Sequence, residues 1–519
     1  MDTSKVTLGF GEVVASGSER DFHRLKKMAG EAHIERFDIY RPTERRDRGS
    51  MLPRLRLCHL TDFQLCDPGS PTRFEFVNKL VGLASVEAFF PGHRSQELLG
   101  AYAIDAAVAC VNELAENSPG GIDMCLITGD SVDNAQRNEL ELLVSLLGGG
   151  EFSLKDFFGP YFGVQSPMWG DEFYWHPDAI DDEPKARLGF PTIEGLIDAV
   201  GQTRSFGGLK VPWLISNGNH EVLIQGMARL SDEISELALG AAKAYGVDLP
   251  VESVYVQERF EREPHVLFAF AEMREIAPNP LRRPLNSEAF VSTISSAPGE
   301  PAGHGMLDFD PANQTGLWFS HLDPLSRVLY LFVDTAKRGG GASGSLGAVQ
   351  LAWIAATVES ARQSTSDLVV IVNSHHGLDE LDFSYPECAS REEIFAVLES
   401  LPELRLWICG HTHENQVAAY PNPAMPGLGF FQITTTSLMD WPAMLREMEI
   451  YQHQDGALEI VSTLHHFGAN LNPGELGPAD LAGWHMNLAA NSPYVGLGKG
   501  LEGSPLDRNV RMWLGPLRG

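Results

Sequence analysis

Five short blocks hold the residues with the types and spacing for chemistry: Asp62-Phe63-Gln64, Gly129-Asp130-Ser131-Val132-Asp133, Gly218-Asn219-His220-Glu221, His375-His376 and Gly410-His411-Thr412-His413. Carboxylates, side-chain amides and imidazoles are the donors that divalent ions take, and one carboxylate shared by two ions offsets their mutual repulsion. Taken singly, each block is ordinary. An Asp after a strand is usually a turn or cap residue, and a lone His is usually a hydrogen-bonded structural one. Their joint occurrence points to a pair of bound ions, with glycine-flanked turns that let the ligands project without steric conflict.

Those blocks need elements to position them. Each stands at or just beyond a short apolar run of strand length: Leu55–Leu60, Met124–Thr128, Val211–Ser216, Leu368–Asn373 and Leu404–Cys409. Leu329–Val333 reads the same way, as do Gly429–Thr435, Glu447–Gln452 and Ala457–Leu464 further on. Nearly continuous apolar runs predict strands covered on both faces. Helical periodicity over Gln96–Glu116 and Leu346–Arg362 alternates with them, so the core is α/β, a class whose active sites collect at strand ends.

Around this pattern we divide the chain into an N-terminal strap (1–54), a catalytic domain (55–465) and a C-terminal tail packed on the core (466–519). Insertions interrupt the domain at about 151–208, which is rich in aromatics, and at about 225–325, which begins as a helix and then turns irregular. Long insertions in enzymes form lids or substrate walls as often as plain packing layers.

A formal net charge of −30 makes nucleic acid a poor partner, and an anionic ligand would need a local positive centre, which metal ions supply. No basic segment followed by an apolar run opens the chain, and no run approaches the length of a membrane helix, so the expected location is cytoplasmic. The six cysteines show no C-x-x-C spacing and read as reduced thiols.

In order, the blocks resemble D-x-[H], G-D-x-x-D, G-N-H-[D/E], H and G-H-x-H of the calcineurin-like metallophosphoesterases, over roughly residues 55–465. The resemblance implies a four-layer sandwich of two mixed β-sheets with helices outside and two metal ions (Mn, Fe or Zn, with Mn favoured) at the sheet edge. It implies Asp62, Asp130 and His413 as ligands of the first ion, and Asp130, Asn219, His375 and His411 as ligands of the second, with Asp130 bridging. His220 matches the family's general acid, and Asp133, Glu221 and His376 are expected to orient ligands. The implied reaction is hydrolysis of a small-molecule phosphate monoester or diester by a metal-bridging hydroxide.

Gln64 stands where most of these enzymes have a histidine ligand. Its flanking sequence, with Pro301-Ala-Gly-His304-Gly and Asp440-Trp-Pro, resembles a bacterial subgroup in which glutamine is usual. As a ligand, Gln64 donates a neutral, hard oxygen and favours Mn²⁺; otherwise it hydrogen bonds a bound water. The alternative to an enzyme is a binding or scaffolding protein that keeps the fold and has lost turnover. Arg73 is considered as a phosphate clamp against a surface ion pair, and His304 as a residue reaching the substrate cleft against a structural one.

Overall fold

The computed structural model describes residues 1–519 except 45–47, 50, 83–88, 248–254, 270, 308, 310–315 and 518–519. The chain opens with an antiparallel hairpin of β1 (Val6–Ser16) and β2 (Asp21–Ala29). Next, β3 (Ile34–Arg36), β4 (Leu55–Leu60), β5 (Met124–Thr128) and β6 (Trp213–Ser216) enter a first sheet. A second sheet follows, made of β7 (Phe319–Asp323), β8 (Val328–Phe332), β9 (Val369–Asn373), β10 (Leu404–Cys409), β11 (Gln416–Pro421) and β12 (Gly429–Thr434). The chain then returns to the first sheet with β13 (Met444–Gln452), β14 (Leu458–His466) and β15 (Val510–Leu514).

The first sheet has seven strands in the order β3-β15-β14-β13-β4-β5-β6, and the second six in the order β7-β8-β9-β10-β12-β11. Both are mixed. Strands β4, β5 and β6 run parallel, as do β8, β9, β10 and β12, while β13–β15 and the edge strands β7 and β11 add antiparallel pairs.

Period-2 alternation explains why the runs are apolar throughout. Leu55 and Leu57 of β4, Leu126 of β5, Tyr330 and Phe332 of β8 and Ile371 of β9 share one core cluster, to which both sheets contribute. Alternate residues face the other way. Cys58 and Leu60 of β4 and Ile127 of β5 pack with α1 (Gly100–Asn117) and α2 (Arg137–Gly148). Leu329, Leu331, Val370 and Val372 pack with α3 (Ala348–Ser364) and α4 (Arg391–Glu399). Each such side chain contributes about 1.5–3 kcal/mol when fully buried.

In the C-terminal segment, β15 pairs between β14 and β3, and α5 (Pro478–Ala490) packs against α1. The first insertion buries Trp169, Tyr174 and Trp175, and the second adds a hairpin of Ala242–Val247 with Ala271–Glu275.

One expectation is corrected. Among the described residues, Glu97–Asn117 is long and apolar enough to cross a membrane. Its apolar residues, among them Tyr102, Ile104, Val108 and Val111, are spent on the core of the first sheet.

Candidate metal centre

Parallel strands end at the same edge of a sheet, and all five blocks use this directly. Asp62 and Gln64 follow β4, Asp130 follows β5, Asn219 and His220 follow β6, and His375 follows β9. His411 and His413 follow β10. The two edges are joined by hydrogen bonds: His411 N donates to Asp62 Oδ2 at 3.1 Å, and His375 Nδ1 donates to Thr128 O at 2.9 Å.

The donor atoms converge. His375 Nε2 lies 3.0 Å from Asp130 Oδ2 and 3.9 Å from Asp62 Oδ1, which in turn is 3.2 Å from His413 Nε2. The His411 ring centroid is 5.1 Å from that of His375. Asp62 Oδ1, Gln64 Oε1, Asn219 Oδ1 and His375 Nε2 are buried without a well-formed hydrogen bond, Asp62 Oδ1 and His375 Nε2 meeting only those ion-pair contacts. Burying an unpaired polar atom costs about 1–3 kcal/mol, so such atoms call for a partner, and the ligand atoms of Asp62, Asp130 and His375 lie within 4.8 Å of one another, as do those of His375, His376 and His411. Donors about 2.1 Å from a shared octahedral ion stand about 3 Å apart when at right angles, and the separations here run from 3.0 to 3.9 Å. The residues fit a bound metal pair.

The backbone is strained at the same place. Asp62, Gln64, Asp130, His411 and His413 all have positive φ, between 41° and 74°, in the left-handed region that L-residues rarely occupy. Two glycines permit the close approach of the loops. A Cβ on Gly218 would strike Asp130 Oδ1 and His375, and one on Gly410 would strike Thr61 and Asp62.

The electrostatics ask for positive charge. Burial opposes protonation of His375, yet the Asp130 and Asp62 carboxylates raise it to about 9. His413, likewise buried, is raised to about 10 by Asp62 and Asp440. Burial would lift Asp62, but His413 and His375 hold it below the usual carboxylate range. Protons here stand in for cations. At His411 burial and the neighbouring His375 outweigh the pull of Asp130 and Asp62 and lower it to about 3, leaving the neutral form that ligates metals.

The remaining predicted residues surround this set. His220 Nδ1 meets Asp133 Oδ1 at 3.0 Å, its Nε2 is 3.5 Å from Asp130 Oδ2, and its backbone N–H donates to Asp130 Oδ1 at 2.9 Å. The Glu221 carboxylate accepts from the N–H groups of Asp130 (3.0 Å), Ser131 (2.6 Å), Val132 (3.2 Å) and Gly218 (2.5 Å), pinning two blocks together. His376 donates through Nε2 to Ala342 O at 2.8 Å and accepts at Nδ1 from Thr335 Oγ1 at 2.8 Å, so both its nitrogens are engaged. Gln64 Nε2 lies 3.2 Å from His413 Nε2 and 3.3 Å from His220 Nε2.

Two expectations are corrected. Arg73 is neither a phosphate clamp nor a surface ion pair: at 1% exposure it is enclosed by Glu75 (3.0 Å), Glu97 (2.8 Å) and Asp133, which leaves its fork nothing to offer a ligand. His304 does not line the cleft. It is fully buried against Trp213, at the start of β6, with ring centroids 3.4 Å apart and both nitrogens facing carbonyl oxygens of Trp213 and Ala297.

Sequence reasoning also passed over Asp440 and Arg94. Asp440 Oδ2 receives His413 Nδ1 at 2.7 Å and takes Arg94 Nε at 2.7 Å on its other oxygen. Asp440-Trp-Pro stood out as a motif, but nothing local tied it to a histidine 27 residues upstream.

No protein-family model and no curated protein matches the chain. Among solved structures it is similar to a dimetal phosphatase from Danio rerio, at 13% identity and a TM-score of 0.30, over 80% of this chain and 97% of that one. A likeness that distant carries none of the argument that follows.

Proposed function

We propose that this chain is a metal-dependent phosphoesterase, cleaving a phosphate monoester or diester of a small molecule at a two-ion centre. The observation that carries the reading is the convergence of Asp62, Asp130 and His375, whose ligand atoms lie within 4.8 Å of one another, beside buried oxygens of Gln64 and Asn219 that have no hydrogen bond. Asp62, Asp130 and His413, with Gln64 through Oε1, would hold one ion, and Asp130, Asn219, His375 and His411 the other. Manganese suits this oxygen-rich set.

When bound, two such ions lower the pKa of a coordinated water and draw negative charge from phosphoryl oxygens. The chain's own residues do the rest. Asp130 and Asp62 anchor the positive centre that an anionic ester needs on a protein of net charge −30. Burial opposes a proton on His220, but Asp130 and Asp133 raise its pKa, which favours the imidazolium form that would pass a proton to the leaving oxygen. Asp133 sets its orientation, with its carboxylate 3.0 Å and its backbone carbonyl oxygen 3.2 Å from Nδ1.

The test is hydrolysis of para-nitrophenyl phosphate and bis-para-nitrophenyl phosphate with added Mn²⁺. We expect turnover that a chelator removes and that His220→Ala and Asp130→Asn each reduce by a factor of about 100 or more. Full ion loading without turnover of either ester would favour the scaffolding alternative.

A further inference from the structure

Two histidines at the mouth of the centre, His220 and His413, have side chains 12% exposed, and each meets a buried carboxylate through Nδ1, which in His220 also faces the backbone carbonyl oxygen of Asp133. Each carboxylate is in turn held by an arginine. Arg73 Nη1 donates to Asp133, while Arg94 spans both oxygens of Asp440, Nε to Oδ1 at 2.7 Å and Nη2 to Oδ2 at 3.0 Å. Glu97 joins the two arms: its Oε2 accepts from Arg73 Nη2 at 2.8 Å and from the backbone N–H of Arg94 at 3.1 Å, and its Oε1 meets His93 Nδ1 at 2.9 Å.

Resting on the proposed function, we infer that Arg73 and Arg94 are positioning residues with separate targets: Arg94 fixes His413 for ion binding, and Arg73 fixes His220 for turnover. The physical reason lies in the imidazole ring. An Nδ1–H donated to a fixed carboxylate leaves Nε2 as the free nitrogen and sets the plane of the ring. For His413, that nitrogen faces Asp62 Oδ1 at 3.2 Å, inside the centre. For His220 it faces Asp130 Oδ2 at 3.5 Å, beside the place where a leaving group would sit. A carboxylate can pivot about its own side-chain bonds unless both oxygens are bound. At Asp440 the planar fork of Arg94 supplies that restraint where lysine's single ammonium does not, and at Asp133 Arg73 Nη1 binds Oδ2 while His220 meets Oδ1.

Arg94, its side chain 10% exposed, directs its bidentate bond at Asp440, and Arg73 is placed among three carboxylates, of which only Asp133 touches a histidine of the centre. Lys243 Nζ, 2.8 Å from Glu75, adds a second cation beside these carboxylates and ties the second insertion to them.

The experiment uses the full-length protein and the variants Arg94→Gln, Arg94→Lys and Arg73→Lys. Mn²⁺ affinity is read by calorimetry, kcat and KM for para-nitrophenyl phosphate at saturating Mn²⁺, and folding by thermal melting. For Arg94→Gln we expect one of the two ions to bind about 10–100-fold more weakly, with kcat restored once Mn²⁺ saturates and affinity partly recovered in Arg94→Lys. For Arg73→Lys we expect kcat about 10–100-fold lower with Mn²⁺ affinity unchanged.

Folded variants that keep both wild-type affinity and wild-type kcat, or that lose both together, would overturn the inference. Should Arg73→Lys fail to fold, the Arg94 pair decides alone through Mn²⁺ affinity. Wild-type protein that binds Mn²⁺ but cleaves neither ester would sink the proposed function, while the affinity of Arg94→Gln would still judge the positioning role. Wild-type protein that binds no Mn²⁺ would sink both.

Discussion

Ion binding at this centre should expel protons, and the structure says from where. At neutral pH His375, at about 9, and His413, at about 10, each carry a proton that a metal ligand cannot keep. Asp62 and Asp130 are held below the usual carboxylate range, and His411, at about 3, is already neutral, so these have none to lose. One imidazole proton per ion follows. Each ion's affinity should therefore rise about tenfold per pH unit, or about 1.4 kcal/mol, while the pH stays below those values. Between about pH 6 and pH 8 the gain is roughly 100-fold for each ion. Titration of Mn²⁺ by calorimetry, in two buffers with different ionisation heats, reads the release directly. About two protons per chain are expected near neutrality. A release close to zero would refute the reasoning, because it would mean that the carboxylates do not hold these imidazoles protonated before the ions arrive.

Other outcomes follow from named contacts. Gly218→Ala places a methyl against Asp130 and His375; folded protein with Mn²⁺ affinity about 10–100-fold weaker is expected by calorimetry, and unchanged affinity would show that the loops can yield. Gln64→His should alter the ranking of Mn²⁺ against Zn²⁺ without loss of folding, checked by competitive metal binding, since imidazole is a softer donor than the amide oxygen. Glu139, buried beside Asp133, is raised from 4.5 to about 8, mainly by burial. A carboxyl raised on folding contributes stability that is fully present below about pH 4.5 and fades as pH climbs through about 8, by the order of a few kcal/mol. Glu139→Gln should flatten that decline in denaturant melts, and an equal slope in both proteins would contradict it.

Much of the frame could be read from composition along the chain. The runs Leu55–Leu60, Met124–Thr128 and Leu404–Cys409 agree end to end with β4, β5 and β10, because strands buried on both faces leave an unbroken apolar signature. Others shift slightly: β6 starts at Trp213, two residues after the expected Val211, where Pro212 precedes it. The elements that escaped notice lack that signature. Leu481–Ala490 of α5 is buried on every side, so it has no polar stripe to set a helical period. In the β1–β2 hairpin, exposed polar residues outnumber the buried Phe22 and Leu25.

The centre divides in the same way. Donor identity is local, so the blocks named their own candidates, and the structure brings Asp62, Asp130, His375 and His413 within a few ångströms. Their supports are long-range. Arg73 lies beside Glu75 in sequence, but Asp133 and Glu97 meet it only after folding, which is why a buried four-way charge cluster reads as an exposed cation. His304 misled for the opposite reason: a histidine in a glycine-rich turn suggests access, whereas the turn folds inward onto Trp213.

The most direct measurement is anomalous diffraction from crystals grown with Mn²⁺. Two peaks about 3.5–4 Å apart are predicted, with an Asp130 oxygen between them, Asp62 and His413 on one and Asn219, His375 and His411 on the other. A single peak, peaks elsewhere on the protein, or two peaks that do not share Asp130 would contradict the account.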